Sequence, residues 1–491
     1  MEQLSYRTLE QRNFQGYLLR HAPERVLQFG EGNFLRAFVE EFIDVMNERA
    51  GFDGKVVLVQ PIAPGLEPVI SRQEGLYTLL LRGREEGRPV SQRRVISCVS
   101  RCINPYEDYR TLLDCAKIPE LRFLVSNTTE AGIVFDPVCR FDDEPSASFP
   151  GKLTRFLYER YRLGGKGFII LPCELIDRNG DMLRRCVERY ISHWELDTGF
   201  SQWVARENVF CSTLVDRIVT GYPRVEAETI CAELGYEDSL LDAGELFGLW
   251  VIEGPQSIKE ELPFEQAGLP IIVTDDLTPY QRRKVRVLNG AHTAMSLGAY
   301  LIGHDMVRSC MENSTIRGFM GKAVYQEIIP TLDLPGEELN RFAASVIERF
   351  QNPYIDHRLL DISLNSTAKW RARIMPSLLE FAARTGTLPT CLIFSFAEYL
   401  SFYHGGRVRG EGCLIGRRGE DRYQVKDDPW VLDFYYDHRD DRPAALVHAV
   451  VSNERMWGLE LSALPGFEAA VTRILERIAA MGMYRAMQEC L

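Results

Sequence analysis

Hydrophobic and polar positions along the first half of the chain switch repeatedly between two patterns. Residues 25–30 form a short apolar run ending in glycine. Phe34, Leu35, Phe38, Val39, Phe42, Ile43 and Met46 then recur at the three- and four-residue spacing of an amphipathic helix. Residues 55–60 form a second apolar run. A strand, a helix and a strand in succession predict a β-α-β unit, which requires a parallel sheet and a right-handed crossover. Further strand-like runs lie at 121–125, 167–171 and 270–274, with helical stretches such as 152–163 and 180–194 between them.

The texture changes after Thr274. Thr278-Pro279 is a helix start, with threonine as N-cap and proline at the first helical position. Segments 306–329, 336–350, 357–374, 392–403 and 465–483 all fit amphipathic helices. Residues 405–422, rich in Gly and Arg, read as a mobile surface loop. The pattern predicts an α/β domain with a parallel sheet over 1–275 and a mainly α-helical domain over 276–491.

Composition narrows the function. The chain has 491 residues, 45% apolar and 26% charged, in the range of an ordinary soluble protein. Its net charge of −12 argues against a nucleic-acid partner. Twelve cysteines are scattered, and the closest pair, Cys98 and Cys102, lacks a second pair at zinc-site spacing. They read as buried free thiols of a reducing compartment. The first ten residues mix charges and carry no apolar core, and no apolar run is long enough to span a bilayer, so the expected location is the cytoplasm. The eight histidines include no His-x3-His pair, which argues against a metal hydrolase.

Gly30-Glu31-Gly32-Asn33-Phe34-Leu35-Arg36 lies between the first strand and its helix. Glycines in this place let the backbone turn sharply and approach a pyrophosphate resting on a helix N-terminus, the Rossmann-type arrangement. The third glycine of that fingerprint is replaced by Leu35, and an ordinary tight turn fits the same residues. Gln60 stands where an acidic residue usually ends the second strand. An amide there suits a ribose hydroxyl yet does not repel a 2′-phosphate, so the choice between NAD and NADP stays open.

The most chemical stretch is Lys284-Val285-Arg286-Val287-Leu288-Asn289-Gly290-Ala291-His292. From Val287 to Leu301 the helix is apolar or small on nearly every side, with Asn289 and His292 as its polar interruptions. A buried amide and a buried imidazole need partners. On an α-helical wheel Lys284, Leu288 and His292 form one stripe, with Asn289 about 60° round from His292. A lysine that gives or takes a proton, beside an amide that donates to a developing oxyanion, suits work on a carbonyl. The same residues also fit a basic helix end followed by a satisfied core histidine. Gly290 costs about 1 kcal/mol relative to alanine in such a helix, a cost that suits close approach of a ligand.

Long motifs in the same order give the chain a family resemblance. They are Gln28 through Phe38, Ser126-Asn127-Thr128-Thr129-Glu130-Ala131-Gly132, Pro172 through Gly180, Cys211 through Arg224 and Lys284 through Thr293. The chain resembles the mannitol dehydrogenase family of polyol-specific long-chain dehydrogenases. The resemblance implies a Rossmann-type N-terminal domain, a helical C-terminal domain, a nicotinamide cofactor and no metal. Lys284 matches the general acid or base, Asn289 and Asn179 the oxyanion-stabilising asparagines, and His292 the histidine orienting the reacting oxygen. Asp216 matches the acid of the Val-Asp-Arg-Ile motif. Phe29, Gly30, Glu31, Gly32, Asn33, Phe34, Gln60, Asn127 and Thr128 fall in the cofactor-binding motifs.

Two departures separate the chain from the sugar-alcohol branch. Cys173-Glu174-Leu175 replaces a Cys-Asp-Asn triplet, and Asp361 replaces a substrate-binding arginine. Both agree with a uronate branch, hence with a small keto-uronate substrate and NAD as cofactor, NADP not being excluded. The substrate carboxylate needs a cation. Lys369 and Arg373, at i and i+4 on one predicted helix, fit that role, with His357 and Arg371 as further candidates. Competing readings are another uronate or a hexitol as substrate, and an NADH-sensing regulator without turnover. The sensor lacks any basic recognition segment in this sequence.

Overall fold

Six short apolar segments build one parallel sheet: β1 (Glu24–Phe29), β2 (Lys55–Val59), β3 (Val99–Ile103), β4 (Phe123–Ser126), β5 (Ile169–Pro172) and β6 (Val209–Phe210). Their spatial order is β3-β2-β1-β4-β5-β6. These strands belong to a computed structural model that describes residues 1–129 and 131–491. Glu130, within the 126–132 motif, lies outside the described residues. The chain divides into two units, Met1–Gly83 with Val90–Leu277 and Arg84–Pro89 with Thr278–Leu491.

The strands of the first unit are apolar on both faces because helices cover both faces. Helix α1 (Val39–Ala50) brings Phe42 and Met46 against Val26, Val56 and Leu58. Helices α2 (Phe149–Arg162) and α3 (Asn179–His193) bring Leu153, Phe156, Leu183 and Val187 against Leu27, Val57 and Val59 on the other side. Strand order reverses between β1 and β4, so the loops leaving these two strands flank the crevice where open α/β sheets bind ligands. The run at 270–274 is a strand, Ile271–Thr274, of a separate sheet with Leu249–Glu253 and Ser212–Asp216.

In the second unit, Thr278–Arg283 leads through a π-helical segment, Lys284–Asn289, into α4 (Gly290–Ile302). Around it lie α5 (Gly336–Phe350), α6 (Ser366–Arg373) and α7 (Thr390–His404). Helix α4 is buried along nearly its whole length, which explains its lack of a polar face. It meets α7 where Gly298 carries no side chain. The Gly298 N–H donates to the Glu398 carboxyl at 3.1 Å, and burial holds that carboxyl well above the usual range.

Three sequence expectations are corrected. The 306–329 stretch is interrupted at Asn313, whose side chain caps Ser314–Lys322. The 357–374 stretch is interrupted at Asn365, in the left-handed region at φ 53°. Residues 405–422 are no loose loop: Val408–Gly410, Cys413–Arg418 and Asp421–Val425 form an antiparallel sheet turning at Gly412 and Gly419. Its Leu414, Tyr423 and Val425 are buried, and Tyr423 stacks on Phe402 at 4.6 Å. All twelve cysteines are free and buried. Among the described residues, no helix is long and apolar enough to cross a membrane.

Candidate active site

The glycine turn sits at the point where strand order reverses. Gly30 has φ +122°, and a Cβ there would lie 3.0 Å from the Asn127 carbonyl oxygen. The Asn127 N–H in turn donates to Phe29 O at 3.1 Å. The loops after β1 and β4 therefore touch backbone to backbone, which a side chain at residue 30 would prevent. Gly32 faces open space at the start of the one-turn helix Asn33–Arg36, and the chain bends at Phe38 before α1 begins. The exposed Gly32 backbone, open to solvent and without a side chain, suits the pyrophosphate of a dinucleotide. Phe34 is half-buried, whereas the Phe29 ring points into the core, 5.1 Å from Phe149, and leaves only backbone at this edge.

The neighbouring loops are braced by side chains. Asn127 Nδ2 donates to Cys173 O at 2.8 Å. The buried Glu174 carboxyl accepts from Thr128 N and Oγ1, both at 3.0 Å, and from Ser126 Oγ at 3.1 Å. Burial raises this carboxyl, and those bonds partly offset the rise. Gln60 does not point to a ribose. Its Nε2 donates to Ile62 O and Ala63 O at 2.8 and 2.7 Å, and its Oε1 accepts from Glu67 N at 3.3 Å. The amide closes its own loop. Glu31 is buried, and its Oε1 accepts from Leu66 N at 3.4 Å.

Asn179 starts α3 after Arg178, which is left-handed at φ 49°. Its amide N–H groups face three carbonyls, Pro172, Glu174 and Thr213, at 2.9, 3.1 and 3.2 Å. Its Oδ1 accepts from Gly180 N and Thr213 N. Both amide N–H groups are engaged by protein carbonyls in this structure, and Asn179 pins the β5–α3 turn. Asp216 ends the strand Ser212–Asp216 and is 5% exposed.

The second unit holds the lysine segment. The Gly290 N–H reaches Val285 O, five residues back, the bond that defines a π turn. This corrects the α-helical wheel. On an α-helix, positions five apart lie about 140° round from each other. The wider π turn swings Asn289 toward the line of Lys284 while Leu288 stays near it, so the two polar residues share one face. A Cβ at Gly290 would make only ordinary contacts, with Arg373 O at 3.5 Å and Ile328 at 3.6 Å, so packing alone does not require glycine there.

His292 is 7% exposed. Its ring stacks on Phe350 at 4.0 Å and meets His357 edge-on at 4.8 Å. Its Nε2 is buried with no hydrogen-bond partner among the described residues. Burial first, then the charges of His357, Arg373, Arg349 and Lys369, hold the imidazole well below its ordinary pKa. Lys369 Nζ donates to Ile362 O at 2.8 Å, and Arg373 Nη1 donates to Thr293 Oγ1 at 3.3 Å. Burial lowers His357, Lys369 and Arg373 as well, and Asp361 partly restores His357.

Sequence reasoning missed Arg349 and Phe350. The signal was present, because Arg349 stands on the apolar stripe of α5 with Phe342 and Val346. Arg371 falls elsewhere: it is exposed and lines a cavity of about 470 Å³ with Asp427, Trp430 and Arg455. Among the described residues there is no cluster of three or more His, Cys, Asp or Glu able to hold a metal.

Residues 24–266 match the mannitol dehydrogenase Rossmann domain and residues 276–479 the mannitol dehydrogenase C-terminal domain. An altronate oxidoreductase of Klebsiella pneumoniae (strain 342) is 46% identical over 98% of this chain and 99% of its own length. One of Yersinia enterocolitica is 44% identical over the same shares. The fold is that of a substrate-free D-sorbitol dehydrogenase (TM-score 0.79, 22% identity, 95% of each chain). It is also that of Pseudomonas fluorescens mannitol 2-dehydrogenase in complex with NAD and D-mannitol (TM-score 0.69, 20% identity, 99% of each chain).

Proposed function

The chain belongs to the mannitol dehydrogenase family, an oxidoreductase acting on CH–OH groups, and on that premise we propose that it reduces D-tagaturonate to D-altronate reversibly with NADH, a step of hexuronate breakdown. The observation that carries this reading is the cationic surround of a neutral imidazole. Arg349, Lys369 and Arg373 carry that charge toward His292, three positions beyond Asn289, and Arg373 Nη1 is anchored on the neighbouring Thr293 Oγ1 at 3.3 Å. A neutral sugar alcohol needs no such charge, whereas the carboxylate of a uronate does.

The dinucleotide, when bound at the glycine turn, supplies the hydride that adds to the ketone carbon. Lys284 gives its proton to the ketone oxygen and, in the oxidising direction, the neutral amine takes it back. Asn289 donates an amide N–H to that oxygen as charge develops, a contribution of roughly 3 kcal/mol to the barrier for one such donor. His292, kept neutral and held in plane by Phe350, offers Nε2 to the substrate hydroxyl beside the reacting carbon. Lys369 and Arg373 hold the carboxylate, with His357 at its edge. Asp216 serves as a proton-relay residue. Asn179 contributes by fixing the turn that precedes it.

Loss of NADH absorbance on mixing with tagaturonate, fructuronate or fructose tests the reading. Multiple turnovers fastest with tagaturonate support it. A preference for fructuronate or fructose would move the chain to another substrate within the family, and binding of NADH without turnover would make it a sensor.

A further inference from the structure

Rossmann sheets commonly read the adenosine ribose with an acid at the end of the second strand. In this chain that place is empty of charge. β2 runs into Gln60, whose amide is tied to Ile62, Ala63 and Glu67 of its own loop. A carboxylate reaches the same loop from the neighbouring strand instead. Glu31 stands between Gly30 and Gly32, is 6% exposed, and accepts from the Leu66 N–H at 3.4 Å. It also lies close enough to β3 to act on the thiol of Cys102. Burial raises its carboxyl, and backbone N–H groups including that of Leu66, then the charge of Arg36, partly offset the rise; the Arg36 guanidinium itself donates to Leu240 O and Asn33 Oδ1 at 2.6 and 2.5 Å.

The edge beside it offers an apolar surface. Ile62 and Tyr106, on the loops after β2 and β3, are 57% and 36% exposed. Tyr106 Oη donates to Pro61 O at 2.8 Å and so stands upright beside the β2 loop. Ile62 belongs to the same loop as Leu66, whose N–H bonds the Glu31 carboxylate.

We propose that Glu31 selects the cofactor: its carboxylate accepts hydrogen bonds from the 2′- and 3′-hydroxyls of the NAD(H) adenosine ribose and repels the 2′-phosphate of NADP(H). The proposal rests on reading this edge as a dinucleotide site. Two acceptor oxygens suit a vicinal diol, and a buried negative charge opposes a phosphate dianion.

Binding, measured without substrate, tests it. Titration of the intact protein with NADH and NADPH, followed by nicotinamide fluorescence, is expected to show NADH binding about tenfold or more tighter. AMP is expected to displace NADH, and adenosine 2′-monophosphate to displace it far less. Glu31→Gln keeps the shape and removes the charge, and it is expected to bring the two dinucleotide affinities within about threefold of each other. Equal affinities in the unsubstituted protein would overturn the proposal whatever the variant does. So would a Glu31→Gln protein that binds NADH normally and still rejects NADPH. Loss of discrimination in Gln60→Ala alone would assign the role to Gln60. Absence of any dinucleotide binding would remove the premise, and the proposal with it.

Discussion

The imidazole of His292 lies flat on the ring of Phe350, with centroids 4.0 Å apart and planes 12° from parallel. The arrangement covers one face of the imidazole with hydrocarbon while four basic side chains act on it through space, so protonation is opposed twice. An unfolded chain takes up a proton on this residue near pH 6.5, and the folded chain does not. Stability from this source is therefore present above that pH and lost as pH falls below it, with a limiting slope of about 1.4 kcal/mol per pH unit. Urea unfolding between pH 7.5 and 5 should show His292→Asn losing less stability on acidification than the parent protein. Parallel slopes would mean that the imidazole is not held neutral.

Asp242 pulls in the opposite direction. Burial pushes its carboxyl up to about 7, although the Arg36 guanidinium is 3.8 Å away. Here the folded state binds the proton more tightly than the unfolded one. The contribution is complete below about pH 4 and is lost as pH rises through 7. Asp242→Asn removes it, and the same unfolding series should show the variant gaining on the parent between pH 5 and 7.5. A variant that only loses stability, equally at every pH, would show that the carboxylate is charged and needed.

Lys284→Ala should lower kcat by a factor of about 10² to 10⁴, the usual contribution of general acid–base help, while NADH affinity changes little. Steady-state turnover and a separate binding titration check the two halves of this outcome. Near-normal turnover would remove the lysine from the mechanism.

Lys369→Met and Arg373→Met should raise KM for the keto-uronate by about tenfold to a hundredfold, as expected for a charge-assisted contact of about 1.5–3 kcal/mol. Activity on an uncharged ketose should move much less, because nothing in that molecule pairs with the lost cation. Arg371→Met serves as a control, since Arg371 is exposed and lines a different cavity. Equal losses on charged and uncharged substrates would indicate damage to packing rather than to carboxylate recognition.

Periodicity revealed the parallel sheet because strands buried on both faces, such as the one whose residues 56–59 are Val, Val, Leu and Val, form apolar runs and stand out from the helices between them. Lys284, Asn289 and His292 stood out for a related reason, as polar residues in an apolar helix. Side-chain targets were harder to read. Nothing local announces that Gln60 will bond the carbonyls of Ile62 and Ala63, or that Asn179 will meet Thr213, which pairs with it from 34 residues away. The hairpins after residue 405 were hidden because glycine and arginine dominate their exposed positions, whereas Leu414, Tyr423 and Val425, the apolar residues that anchor them, are split between two strands. The π turn was hidden because a helical wheel assumes 3.6 residues per turn throughout.

That turn makes the lysine's placement depend on chain length. A π turn holds one residue more than the α turn it interrupts. Deleting a single residue within Lys284–Asn289 would let the segment relax to a continuous α-helix, turning everything upstream by about 100° and drawing it in by about 1.5 Å. His292 and its aromatic support would keep their seats while the ammonium swung out of phase with them. One surplus residue thus acts as a timing mark in the helix, and if Lys284 is the proton donor proposed above, an indel that a bundle ordinarily absorbs at its surface would here cost turnover before it cost the fold.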